Sequence, residues 1–347
     1  MKIDLENVKS PSFFDYFTDI EIIPLETTDE CVMGYSPTKF ILHNNRYYCL
    51  DEKQKAIFIF DENGKFIKKI KKEGQGPGEY TSLDDFTINR FTGNLELMSA
   101  FSTINIYDSL GVEFKEKIYL PNEEGIIHNM ENLTEDIYIF YNKYRKEKKV
   151  FFYSKSIGKV LADTYKVPES ASEMPSPYLS PFYLYNDSVF FLEDHTGRVF
   201  EIDKDLSFKT KYCWDMGEYT FDMSILPENE TMDYYIKFTS MANSKYAMAV
   251  GVNAENNKYY ISSFRFRNKH IGVIYDKNNK KTMIIDKFKE NLMLLVQKID
   301  KNTFYFFFDA NRIDKYFNPD ILNEENRKKF DSINESDNPI LIKYKLK

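Results

Sequence analysis

Several side chains with hydrogen-bonding or titrating groups recur where one apolar run gives way to the next: Asp51 and Lys53, Tyr144 and Arg145, Asp194 and His195. Arg265, Arg267, His270, Asp309 and Arg312 follow in the C-terminal half. If the segments carrying them share one end of a closed scaffold, guanidinium, imidazole and carboxylate groups converge there. That combination suits an anionic or hydroxylated ligand held by charge-assisted hydrogen bonds. Taken singly, a solvated loop or a salt bridge between neighbouring elements is the simpler account of each residue. The expectation therefore rests on the set, and no residue is assigned a catalytic role.

Other chemistry is weaker in the sequence. His43 and His128 fall on expected innermost strands, where they could face a central channel, but no carboxylates stand at a ligating spacing from them, so neither a metal nor a cofactor is assigned. The run Gly74-Gln75-Gly76-Pro77-Gly78 lacks the Gly-Lys-Ser/Thr ending and following helix of a phosphate loop, and turn geometry explains its glycines. No Gly-x-Ser-x-Gly or His-Glu-x-x-His occurs. Cys31, Cys49 and Cys213 have no zinc-site spacing and read as small buried side chains.

Composition bounds the partners. The 347 residues carry 47 basic and 54 acidic side chains, a formal charge of −7, with no sustained basic stripe to neutralise phosphates, so nucleic acid is not expected. The Lys-rich window Lys143 to Lys149 reads as a solvated loop. No apolar run approaches the ~20 residues of a transmembrane helix, and Met1 to Ser10 lacks the apolar stretch of a signal peptide. A lipid anchor is expected only if a leader has been removed.

Aromatic residues make up 16% of the chain, which favours half-buried strands. A unit recurs: an alternating strand, a polar loop, a second strand ending in an aromatic and Asp, a tight turn, and a further strand. Ile57 to Asp61 is followed by Glu62-Asn63-Gly64 and Phe66 to Ile70; Ile104 to Asp108 by Ser109-Leu110-Gly111. Turn glycines at 64, 111 and 158 give the same spacing twice. Later copies use Asp205-Leu206 and Asn278-Asn279, residue types that tolerate a left-handed backbone. Innermost strands are expected at Lys39 to His43, Asp85 to Asn89, Gly125 to Asn129, Pro181 to Tyr185 and Tyr246 to Val252, with a final unit from Leu292 to Ile299, Thr303 to Asp309 and Ile340 to Leu346.

The pattern predicts an all-β fold: a six-bladed β-propeller of four-stranded antiparallel blades, spanning 1–347 as a single domain. The last unit lacks an outer strand, which Ile20 to Leu25 would supply, so the N-terminal strand closes the ring on the C-terminal blade and removes an open edge. Pro24 suits an outermost strand. Residues 1–19 form an N-terminal extension, and 216–245 and 310–339 are insertions.

Gly74 to Tyr80, followed by Asp85-Phe86 and Gly93-Asn94-Leu95, resembles an NHL-type propeller repeat. With Ile22 to Thr28 and Phe60-Asp61-x-x-Gly64-Lys65-Phe66, the chain more closely resembles the six-bladed β-propeller family common in Bacteroides-type bacteria. That resemblance implies an exported protein, often a lipoprotein, at the periplasm or cell surface.

In a four-stranded blade the second-to-third and the outer-to-next-inner connections lie on one face. The long segments Lys71 to Leu83, Pro168 to Ser180, Met216 to Lys245 and Ala310 to Pro339 all fall there, and long loops on a rigid scaffold carry binding. The amphipathic stretch Pro319 to Ile333 reads as a short helix that either caps the mouth or packs over the rim. The expected function is a non-catalytic binding propeller for a glycan, peptide or protein at the channel mouth. The alternative is a hydrolase or lyase with a metal-assisted site there.

Overall fold

The computed structural model describes residues 1–100, 103–121, 125–143, 148–167, 176–225, 245–251 and 253–347. Tyr144 and Arg145 lie outside the described residues, as does most of the insertion 216–245.

Among the described residues, twenty-five strands form six antiparallel sheets arranged as the blades of a propeller. Strand β1 (Phe17–Pro24) is set aside for the last blade. Blade one comprises β2 (Lys39–His43), β3 (Arg46–Asp51), β4 (Ala56–Asp61) and β5 (Phe66–Ile70), from the channel outwards. Blade two comprises β6 (Asp85–Ile88), β7 (Leu95–Ser99), β8 (Thr103–Tyr107) and β9 (Phe114–Tyr119). Blade three has β10 (Asn129–Asn132), β11 (Ile137–Tyr141), β12 (Val150–Ser154) and β13 (Lys159–Thr164); blade four has β14 (Phe182–Tyr185), β15 (Ser188–Leu192), β16 (Val199–Ile202) and β17 (Phe208–Tyr212). In blade five, β18 (Met248–Ala249) and β19 (Ala254–Glu255) both pair with β20 (Tyr259–Phe266), followed by β21 (Lys269–Asp276) and β22 (Lys281–Ile285).

Blade six runs β23 (Lys298–Asp300), β24 (Thr303–Phe308), β25 (Ile340–Leu346) and then β1, which pairs with β25 from Phe17↔Leu346 to Pro24↔Ile340. The expected closure by Ile20 to Leu25 is therefore the observed one. Its position is equivalent to that of other outer strands. A Cβ on Gly111, in the turn of blade two, would meet Ile70 Cδ1 at the end of β5; a Cβ on Gly64, in the turn of blade one, would meet the Pro24 carbonyl at 2.6 Å. Both glycines have positive φ, so the same turn seats against the preceding outer strand at the closure as elsewhere.

The Asp of the repeat has a local cause. Asp61 Oδ1 accepts from the N–H groups of Asn63 and Lys65, Asp108 Oδ1 from Val112 and Glu113, and Asp276 Oδ1 from Asn278 and Asn279. Each carboxylate closes its own turn. The middle strands do not alternate: residues 47–51 and 56–60 are buried throughout, because both sheet faces pack on neighbouring blades. Among the described residues the core forms six apolar clusters, each lying between adjacent blades. One joins Ile23 and Leu25 to Tyr47 and Phe58 of blade one and Phe307 and Leu341 of blade six.

Several expectations are corrected. The innermost strand of blade three begins at Asn129, not Gly125. Of the expected Tyr246 to Val252 strand, Met248–Ala249 is observed and Val252 lies outside the described residues; a second short segment follows at Ala254–Glu255, and the innermost strand of blade six is only Lys298–Asp300. Of the two readings of Pro319 to Ile333, the rim is the observed one. Helix Glu324–Asp331 packs against β1, with Phe330 in the cluster that holds Ile20 and Ile22. The N–H of Ile22, on the otherwise open edge of β1, donates to Asn326 Oδ1 at 2.7 Å, so the insertion covers the exposed strand edge. Lys149, read as part of a solvated loop, is buried beside Asp194, and Cys213 is exposed.

Candidate functional site at the channel mouth

A cavity of about 170 Å³ occupies the centre of the ring and takes residues from all six innermost strands. Pro37, Thr38, Leu179, Ser180 and Gln297, from connections on the loop-rich face, form its mouth. Phe40, Ile41, Ile88, Phe182, Leu184 and Ile299 make its walls largely apolar, and Lys39, Thr87, Glu131, Asn253, Glu255 and Lys298 supply its polar groups.

Most of these polar groups are matched. Lys39 Nζ lies 2.9 Å from Asp85 Oδ1, and Asp85 Oδ2 accepts from the Met130 N–H at 2.8 Å, tying three blades together. Burial pushes the Asp85 carboxyl up, and the Lys39 ammonium pulls it back. Thr87 Oγ1 donates to Glu131 Oε1 at 2.9 Å. Glu255 accepts from the Tyr183 hydroxyl at 3.0 Å and the Tyr212 hydroxyl at 2.7 Å, and pairs with Lys277.

Two donors differ. Lys298 is partly buried and makes no ion pair among the described residues. Burial lowers its ammonium pKa, opposed by attraction to Asp300 and to Glu131, which stands on the opposite blade. Asn253 is 1% exposed; its Oδ1 accepts from the Tyr260 hydroxyl at 2.7 Å, which leaves Nδ2 as its donor, and among the described residues Nδ2 has no hydrogen-bond partner. It sits in the break of the blade-five innermost strand. Beside the mouth, burial and then Lys143 lower the His128 pKa to about 4, opposed by Asp84.

The comparisons with known proteins bear on this geometry. A family described as a domain of unknown function, DUF4934, matches residues 2–345. The chain belongs to the DUF4934 family. A comparison with curated protein sequences finds no match. Among solved structures, the chain is similar to the "Putative exported protein" of Bacteroides fragilis NCTC 9343, at 15% identity over 100% of both chains with a TM-score of 0.73. It is also similar to a member of the DUF4221 family from Bacteroides vulgatus ATCC 8482, at 11% identity over 95% of this chain and 97% of that one, with a TM-score of 0.59. At these identities the likeness is one of fold.

Within this DUF4934 propeller, none of the described candidates from the sequence lines the central cavity. Asp51 and Asp309 both anchor the connection from β1 to β2. Asp51 Oδ2 accepts from the Gly34 N–H at 2.9 Å, and Asp309 Oδ1 accepts from the N–H and hydroxyl of Ser36, each at 2.6 Å. Asp194 is buried, accepting from the hydroxyls of Tyr141 at 2.5 Å and Ser176 at 2.7 Å, with Lys149 at 3.7 Å. His195 is buried with a positive φ, and its carbonyl accepts from the Ala249 N–H.

Arg265 and His270 are cross-strand partners, and His270 lines a separate cavity of about 190 Å³ between blades five and six. Burial and then Arg265 lower the His270 pKa. Arg267 pairs with Glu6 of the N-terminal extension at 2.8 Å. Lys53 lies over the Tyr35 ring and Arg312 over that of Tyr316. His43 is at the far end of its strand, beside Asn44. Among the described residues no group of three or more His, Cys, Asp or Glu is placed to hold a metal.

The residues missed from sequence are Lys39, Glu131, Asn253, Glu255 and Lys298. The innermost strands are short and of mixed composition, such as Asn129–Asn132 and Lys298–Asp300, so no pattern in the sequence separates these residues from ordinary strand-end charges.

Proposed function

We propose that this chain is a binding propeller that acts outside the cytoplasm and takes a glycan, peptide or protein at the channel mouth on its loop-rich face. The observation that carries the reading is the central cavity, open on that face, apolar in its walls and holding an ammonium group, Lys298, without an ion pair among the described residues. Concave, mostly apolar sites with a few placed polar groups are the usual form of ligand pockets. Tyr35, 65% exposed, and Tyr316, 41% exposed, add aromatic rings on connections of the same face. Such rings stack on sugars and grip peptides. Full-length likeness to a protein whose printed name is "Putative exported protein" supports the location.

The test is a glycan and peptide array probed with the whole chain and with Leu179→Trp, which fills the mouth. Signal that the substitution abolishes supports the reading. Signal indifferent to it, or no signal on either array, counts against it.

A further inference from the structure

The second cavity, between blades five and six, carries at its rim two nitrogen side chains that the fold sets side by side. Strands β20 and β21 meet in a two-residue turn, Arg267-Asn268, both at positive φ, and Phe266↔Lys269 is the last pair before it. The next pair is Arg265↔His270, of the kind that exchanges no backbone hydrogen bonds, so the two side chains leave one face of the sheet about 4.5–5.5 Å apart at Cβ. That face is the one toward blade six. Two and four residues back along β20 are Ser263, which lines the cavity, and Ile261, which packs with Phe304 and Phe306. Arg265 is exposed, and His270 is half-buried in the cavity lining. Among the described residues neither side chain makes a hydrogen bond or an ion pair. Burial and then the Arg265 charge lower the His270 pKa, so at neutral pH a neutral imidazole stands beside one guanidinium.

Behind this pair the space is made by small residues. Gly272 is the cross-strand partner of Ser263, and a Cβ on it would meet Leu294 Cδ2 at 2.8 Å; a Cβ on Gly251 would meet Ser263 Oγ at 3.0 Å. Leu294, Leu295, Val296 and Phe306 make the walls apolar. The inner polar groups are engaged: the Ser263 hydroxyl donates to the Val250 carbonyl, and Gln297 Oε1 accepts from the Phe307 N–H at 3.0 Å. The cavity holds about 190 Å³, and an apolar space of roughly 150 Å³ accepts benzene. We propose that it binds a small carboxylic acid, with the carboxylate held by Arg265 and His270 and an apolar body of the bulk of an isobutyl group or a benzene ring inside. One carboxylate oxygen accepts from the guanidinium and the other from an imidazole N–H. A single fixed cation matches a monoanion, not a phosphate dianion. The site does not depend on the channel-mouth reading, since its lining shares only Gln297 with the central cavity.

The experiment is titration calorimetry and saturation-transfer NMR on the full chain with isovalerate and benzoate, each against its amide, and with acetate, phenyl phosphate and N-acetyl-leucine. Isovalerate and benzoate are expected to bind at least about tenfold tighter than their amides. Acetate, which lacks three carbons of the body, binds at least about tenfold more weakly than isovalerate. Arg265→Met weakens the acids by about ten- to a hundredfold without lowering the melting temperature, and His270→Phe weakens them while leaving the amides unchanged. Leu179→Trp, at the mouth of the central channel, leaves acid binding as it is. Isovalerate bound better than N-acetyl-leucine assigns a free acid, and N-acetyl-leucine bound at least as well assigns a peptide end with a leucine-like side chain.

Acids that bind no better than their amides, acids indifferent to Arg265→Met, phenyl phosphate bound tighter than benzoate, or no acid bound up to about 10 mM overturn the site. Acid binding abolished by Leu179→Trp overturns it as well, since the acid would then sit in the central channel. None of these failures touches the channel-mouth reading, which stands or falls on the arrays.

Discussion

Asn326→Ala tests how the ring is sealed. Asn326 is buried in helix Glu324–Asp331, and its Oδ1 accepts the Ile22 N–H at 2.7 Å, a group on the outer edge of β1 for which no strand among the described residues supplies an acceptor. Alanine leaves that N–H buried and unsatisfied, a cost of about 1–3 kcal/mol. Alanine also favours the helix over asparagine by roughly 0.5 kcal/mol, and the Asn323 cap is kept because it accepts from the backbone N–H of residue 326. The net loss is about 0.5–2.5 kcal/mol. Urea unfolding gives the stability, and amide hydrogen exchange at Ile22 gives the local effect. Arg327→Ala, half-buried on the same helix with pairs to Asp320 and Asp331 at the surface, is the control and is expected to change stability little. If Asn326→Ala is as stable as this control and Ile22 exchange is unchanged, the helix does not guard the edge.

Removing Asp85 leaves Lys39 without its carboxylate and the Met130 N–H without an acceptor, so Asp85→Ala is expected to cost about 3–5 kcal/mol by denaturant unfolding, and Lys39→Met in the same chain to recover much of it; a loss under about 1 kcal/mol contradicts the assignment. His128 has its pKa lowered from 6.5 to about 4 in the fold, so between those values the unfolded chain binds the extra proton and stability falls as pH drops through that window. After screening at a partly exposed ring the loss is on the order of 1–2 kcal/mol. His128→Gln should flatten that part of the stability profile, and an unchanged slope would show that the ring does not titrate this way.

The turns and the closure were legible in the sequence because they are local or complementary. Asp61 and Asp108 cap their own turns, and an array missing one outer strand needs a strand such as Ile20 to Leu25. The innermost strands were read less well, since that of blade five is two short segments, Met248–Ala249 and Ala254–Glu255, in a stretch of unremarkable composition, and Gly125 to His128 leads into β10 without joining it. Residues such as Asp51, Asp309 and Arg267 stand on the expected face, yet their side chains turn to the nearest backbone or charge partner. That choice depends on neighbouring connections such as the β1–β2 segment holding Gly34 and Ser36. Lys39 and Lys298 looked like ordinary strand-end lysines, and only the assembled ring places both on one cavity.

The central claim is that the loop-rich mouth of the channel is where ligand enters. With exposed Cys213 replaced by serine and Cys31 and Cys49 buried, a single cysteine at Leu179 on the mouth, or at Glu135 on the opposite face, is alkylated with a bulky maleimide. Each labelled chain is then probed on the glycan and peptide arrays. The account predicts that the label at 179 removes the signal and the label at 135 leaves it intact. Loss of signal from 135 with retention at 179 would contradict it.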